Sequence, residues 1–95
     1  MEKIIEKAKA LGVRNVRSVV RINLRRGQGS NHPDIKTGRT RYIARIGRKW
    51  YRGTFTREWY GVNFSALTDD FGAGLQFDTP GTNASEWREL WEVHS

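Results

Sequence analysis

The sequence predicts an α+β domain: an N-terminal helix, an antiparallel sheet of three to five strands and a short C-terminal helix. Three observations predict it. Apolar residues recur at helical spacing near both ends of the chain. Between those ends, apolar and charged residues alternate with the period of a strand. Glycine-containing turns punctuate the alternating segments at short intervals. The 95 residues suit one domain with a single modest core.

Ile4, Ile5, Ala8 and Leu11 form one stripe over Glu2 to Leu11, among Glu and Lys, and Gly12 is placed to end that helix. Over Val13 to Arg26 the period changes, with Val20, Ile22 and Leu24 alternating with Arg21, Asn23 and Arg25, as in a half-buried strand. Gly27 to Gly38 holds three Gly, one Pro and several small polar residues, and reads as a long flexible loop. Arg39 to Gly47 is a second strand, and Gly47-Arg48 allows a tight reversal into a third over Lys49 to Thr56. Arg57 to Phe71 fits either period; Gly61 and the β-branched and aromatic content favour a strand through Phe64 followed by a helical turn over Ala66 to Phe71. Leu75 to Phe77 reads as a short edge strand. Asn83 to Val93 reads as the C-terminal helix, capped by Asn83 with Glu86 three residues on, and striped by Trp87, Leu90 and Trp91.

The charge is lopsided. Residues 1–52 hold fifteen Lys/Arg and three acids, a balance of +12, whereas residues 53–95 hold two and seven, a balance of −5. Arginine dominates the basic half, and its planar fork matches phosphate where lysine offers a point charge. A polyanion is the natural partner. No cysteine is present, which removes disulfides, thiolate metal sites and thiol nucleophiles and suits the cytoplasm. No apolar run reaches the roughly 18 residues of a membrane span, and the first residues lack the pattern of a secretory signal.

The three basic strands each carry two arginines at i and i+4: Arg21 and Arg25, Arg41 and Arg45, Arg48 and Arg52, with Ile43 and Trp50 among them. Side chains four apart in a strand share a face. If the three faces coincide, an arginine lattice with an aromatic inside it can hold phosphates and stack on bases; Lys36 and Arg39 on the loop extend it. The plain alternative is a solubilising face neutralised by acids of the second half. Ten of the eleven aromatics lie from Trp50 onward; most belong to the core, with Trp50 the first choice for an exposed ring and Trp59 the second. Trp87 and Trp91 fit core docking, or, in a protein-binding reading, an interface. Asp34, Glu58, Asp69 and Asp70 are too scattered for a metal centre, and His32 and His94 have no evident partner in the sequence, so no catalytic, metal or cofactor site is expected.

Arg39 to Phe77, through RYIARIGRKWYRGTFT and then FGAGLQF, resembles AP2-like DNA-binding domains, including those of phage integrases and homing endonucleases. The resemblance implies a three-stranded sheet packed on a helix that binds the DNA major groove, with Arg41, Arg45, Arg48, Trp50 and Arg52 as contacts. The helix it implies falls on EWYGVNFSALTDDF, which carries a glycine and strand-like alternation. The expected function is non-enzymatic nucleic-acid binding, DNA ahead of RNA. The alternative is a small inhibitor or adaptor, of the kind phages encode, that binds an acidic protein surface or a nucleic-acid-processing complex.

Overall fold

The computed structural model describes residues 1–26, 32–67, 74–80 and 86–95. Helix α1 spans Glu2–Ala10, and six strands follow: β1 Ser18–Arg21, β2 Arg41–Ile46, β3 Lys49–Glu58, β4 Gly61–Leu67, β5 Gly74–Asp78 and β6 Trp87–His94. They form one antiparallel sheet in the order β1-β6-β2-β3-β4-β5. Strands β2 to β5 run as a meander, and β6 returns to lie between β1 and β2. The whole is a small single domain of 31 × 28 × 25 Å.

The local signals account for most of this. Helix α1 ends where Gly12 adopts φ +88°; the Gly12 and Val13 amides donate to Lys9 and Ala8, the two bonds of a Schellman cap. Gly47, at φ +63°, makes the two-residue reversal between Ile46 and Lys49, which pair directly across it. Strand β5 is the expected edge strand, one residue longer at each end.

Four expectations are corrected. There is no C-terminal helix: residues 87–94 are a strand, and Asn83 lies outside the described residues. β6 lies between the two cores, one on each side of the sheet, so Leu90, Trp91, Glu92 and Val93 are all buried. Such a strand loses the alternation that marks one, and its Trp87-Leu90-Trp91 spacing imitates a helix. The sheet accordingly has six strands rather than three to five. The first strand is only Ser18–Arg21, followed by a single 3-10 turn over Leu24–Arg26; within it Val19 is buried while Val20 is 48% exposed, because β1 is an edge. In the ambiguous segment the strand runs on to Leu67, so Ala66 is in β4 rather than in a helical turn; residues 68–71 lie outside the described residues.

Two cores form, one on each side of the sheet. Beneath α1 lie Ala8, Val13, Val19, Ile43, Trp91 and Val93, with Ile4, Ile5, Leu11, Val16 and Trp50 against them. The other side holds the larger cluster, centred on Tyr42, Phe55, Phe64 and Leu90, with Tyr51, Phe77 and Trp87 packed on it. The sheet curls around this second core. Phe77 of β5 and Trp87 of β6 have ring centroids 6.3 Å apart although β2, β3 and β4 separate their strands in the sheet. Gly53 permits the curl: a Cβ there would collide with the Ser65 carbonyl oxygen on β4, so only glycine fits the approach of β3 to β4.

Candidate nucleic-acid interface

Register decides which arginines share a face, since directly paired residues point to the same side. Arg21 is opposite Trp91, Trp91 opposite Ile43, and Ile43 opposite Arg52. Arg45 is opposite Trp50 on one side and Glu89 on the other. Arg41, two residues from Ile43, projects to the same side and is the diagonal neighbour of Arg52. Arg21, Arg41, Arg45, Trp50 and Arg52 therefore all belong to the helix side of the sheet.

That side is only half open. Helix α1 and the strap after it cover β1, β6 and β2, and the guanidinium groups emerge around their margin. Arg41 donates to the Arg14 carbonyl and to the Ser95 hydroxyl; Arg52 donates to the Gly12 carbonyl at 3.3 Å. The two guanidinium groups thus clamp the Gly12–Arg14 strap onto β2 and β3, and the Arg52 fork packs on the bare Cα of Gly12. Arg21 lies over the Trp91 ring at 5.6 Å, a cation–π contact that leaves its charge uncompensated. Arg45 is the exception: its Nη1 is 3.4 Å from Glu89 Oε2, and the other oxygen of Glu89 accepts from the Trp91 indole at 3.2 Å.

Between strap and sheet lies a cavity of about 470 Å³ lined by Gly12, Val13, Arg14, Arg41, Tyr42, Arg52, Gly53 and Thr54. It has three arginines and no acid. The Arg52 Nε is buried and has no hydrogen-bond partner among the described residues. Past the cavity, the helix side of β3 to β5 carries short polar side chains, Thr54, Ser65 and Gln76 paired in a row.

The remaining expected residues sit elsewhere. Arg25 is exposed in the 3-10 turn, off the sheet. Arg48 is exposed in the β2–β3 turn and Arg39 precedes β2, also exposed. Lys36 is on the opposite side, 3.5 Å from the buried carboxylate of Glu92. Trp50 is half-buried under α1, with the Lys7 ammonium 5.8 Å above its ring; the exposed ring is Trp59, at 94%, on the tip of the β3–β4 hairpin beside Tyr60. Trp87 and Trp91 both belong to the cores.

Both histidines have partners that the sequence does not announce. His32 is buried; its Nδ1 accepts from the Asp34 amide at 3.2 Å and its Nε2 lies 2.7 Å from the Asn23 carbonyl, so the ring is a neutral tautomer donating through Nε2. His94 Nε2 is 2.6 Å from Glu92. Glu92 also accepts from the Tyr42 hydroxyl at 3.1 Å, and that hydroxyl accepts from the Lys36 amide at 2.9 Å. Burial pushes the Tyr42 phenol up to about 12; the Lys36 amide opposes the rise and the Glu92 charge adds to it. This cluster ties residues 34–36 to the inner face of the sheet.

No family model matches the chain, and no curated protein or solved structure matches it either. Among the described residues no three His, Asp or Glu side chains converge as a metal site, and no helix is long and apolar enough to cross a membrane.

Proposed function

We propose that the chain is a non-enzymatic nucleic-acid-binding domain, DNA ahead of RNA, that engages phosphates through the helix side of its sheet. One observation carries this: Arg21, Arg41 and Arg52 point to the same side, and none of the three has a carboxylate partner among the described residues. Lys3, Lys9, Arg14 and Arg17 on α1 and the strap are exposed, as are Glu2 and Glu6 on α1. Crowded cations repel unless an anion receives them, and an arginine held by a carbonyl keeps its full charge. Four of the five contacts implied by the AP2-like resemblance, Arg41, Arg45, Trp50 and Arg52, belong to this side, while β4 is a strand where the resemblance implies a helix.

Titration of duplex DNA at increasing salt tests the reading. Each lost phosphate contact flattens the log–log salt slope by about 0.9. Arg21→Gln, which removes an exposed and uncompensated charge, flattens the slope by about that much and weakens binding on every sequence alike. Arg45→Gln, already paired with Glu89, changes it less. Absence of saturable DNA binding, or an unchanged slope in Arg21→Gln, rejects the assignment.

The second reading, an adaptor for an acidic protein, is favoured by Trp59 at 94% exposure, a large ring offered to a partner. It predicts no retention of naked nucleic acid in gel filtration near physiological salt.

A further inference from the structure

The pocket under the strap is a partly open recess in the basic face, with the strap on one side and β2 and β3 on the other. Arg41 and Arg52 are fixed at its sides by the Arg14 and Gly12 carbonyls, Arg14 is at its rim, and no acid lines it. Each clamped guanidinium keeps further N–H donors after binding the strap, because the group has five. The remaining wall is formed by Val13, Thr54 and the backbone at Tyr42 and Gly53, and a volume of about 470 Å³ falls within the roughly 300–1,000 Å³ of small-ligand pockets.

We infer that this cavity binds a phosphomonoester: a terminal phosphate with the sugar or other small body attached to it. A monoester brings about −1.5 to −2 charge and three acceptor oxygens, which matches three arginines; an internal diester brings one charge, two free oxygens and two chain exits. The inference rests on the proposed nucleic-acid reading for its natural source, the end of a strand, and the same chemistry occurs in a free mononucleotide.

The test measures binding of the full chain to 10-nucleotide strands and duplexes, fluorescein-labelled at one end and carrying either a phosphate or a hydroxyl at the other. Strands with a 5′- and a 3′-phosphate are both used, and AMP and inorganic phosphate serve as competitors. The expected result is at least tenfold tighter binding of one phosphorylated end over its hydroxyl counterpart, with AMP competing. Arg52→Gln erases the preference, whereas Arg21→Gln lowers affinity for both ends equally. Should Arg52→Gln unfold the domain, Arg14→Gln, at an exposed position on the rim, reduces the preference in a folded protein. Equal affinity for phosphate and hydroxyl ends, with no competition by AMP, overturns the inference and leaves the nucleic-acid reading standing. Binding of AMP and phosphate with no binding of any strand keeps the cavity as a phosphate site and removes the nucleic-acid reading instead.

Discussion

Replacing Tyr42 by Phe removes one hydroxyl from a buried network, and its cost depends on pH in a way that singles out this residue. The hydroxyl donates to Glu92 at 3.1 Å and accepts from the Lys36 amide at 2.9 Å. The ring stays in place edge-on to Phe55, centroids 4.9 Å apart, so the packing loss is small. A hydrogen bond to a charged group contributes about 1.5–3 kcal/mol, and the loss at pH 8 should be about 2–3 kcal/mol. The pH-dependent part follows from the raised phenol: a shift from 10.0 to about 12, caused first by burial and then by the Glu92 charge, is about 2–3 kcal/mol at roughly 1.4 kcal/mol per unit. The sign is that of a folded state holding its proton more tightly than the unfolded chain. The contribution is therefore complete below pH 10, declines as pH rises from 10 to about 12, and is gone above. Urea unfolding of wild type and Tyr42→Phe, followed by tryptophan fluorescence from pH 8 to 12, reads it directly. Lysines and the other tyrosines titrate in both proteins and cancel in the difference. The two stability curves should approach each other over that window; curves that stay parallel to pH 12 refute a phenol buried in its protonated form beside Glu92.

Two further expectations concern the sheet itself. Gly53→Ala puts a methyl group into the Ser65 carbonyl and should destabilise by about 2–3 kcal/mol, the upper range for overpacking, seen as a lowered urea midpoint with the slope unchanged. Trp59→Ala, at 94% exposure, should stay within about 0.5 kcal/mol of wild type, whereas Trp50→Ala, under α1, should cost about 2–4 kcal/mol; thermal melts of the two variants decide, and equal melts would place Trp50 outside the core.

Two of the basic strands were legible because a glycine turn joins them and their residues alternate on either side of it. Alternation around Tyr42, Ala44 and Ile46 and the Gly47-Arg48 reversal place β2 and β3 without any tertiary information. β6 was illegible for the opposite reason: inserted between β1 and β2, it is dry on both faces, and period two disappears from its sequence. The face shared by Arg21, Arg41, Arg45 and Arg52 was half legible. Spacing puts each pair on one side of its strand, but only register joins the strands, and the register of β1 runs through β6. What no local pattern predicts is that α1 lands on that same face. Ile43 and Trp50, interleaved with the arginines, were the available signal, since apolar residues among charges mark a surface that something covers. Glu89 lies in a segment whose spacing imitates a helix, and nothing in that spacing pairs it with Arg45.

Partnership with a backbone carbonyl rather than a carboxylate has a consequence for how these arginines act. Arg45 with Glu89 is a neutral pair, and a phosphate approaching Arg45 competes with a carboxylate already in place. Arg41 and Arg52 are oriented by the Arg14 and Gly12 carbonyls, which accept hydrogen bonds but carry no net charge. Their side-chain entropy, up to about 2 kcal/mol for a free arginine, is already spent in folding, and their charge remains available. A ligand anion meets cations that need not be ordered on arrival, the condition under which electrostatic contacts give most affinity. The strap is what supplies those carbonyls, and it can do so because Gly12 turns the chain at φ +88°. Helix α1, which hides half of the basic face, is thus also the element whose C-terminal turn arms the other half.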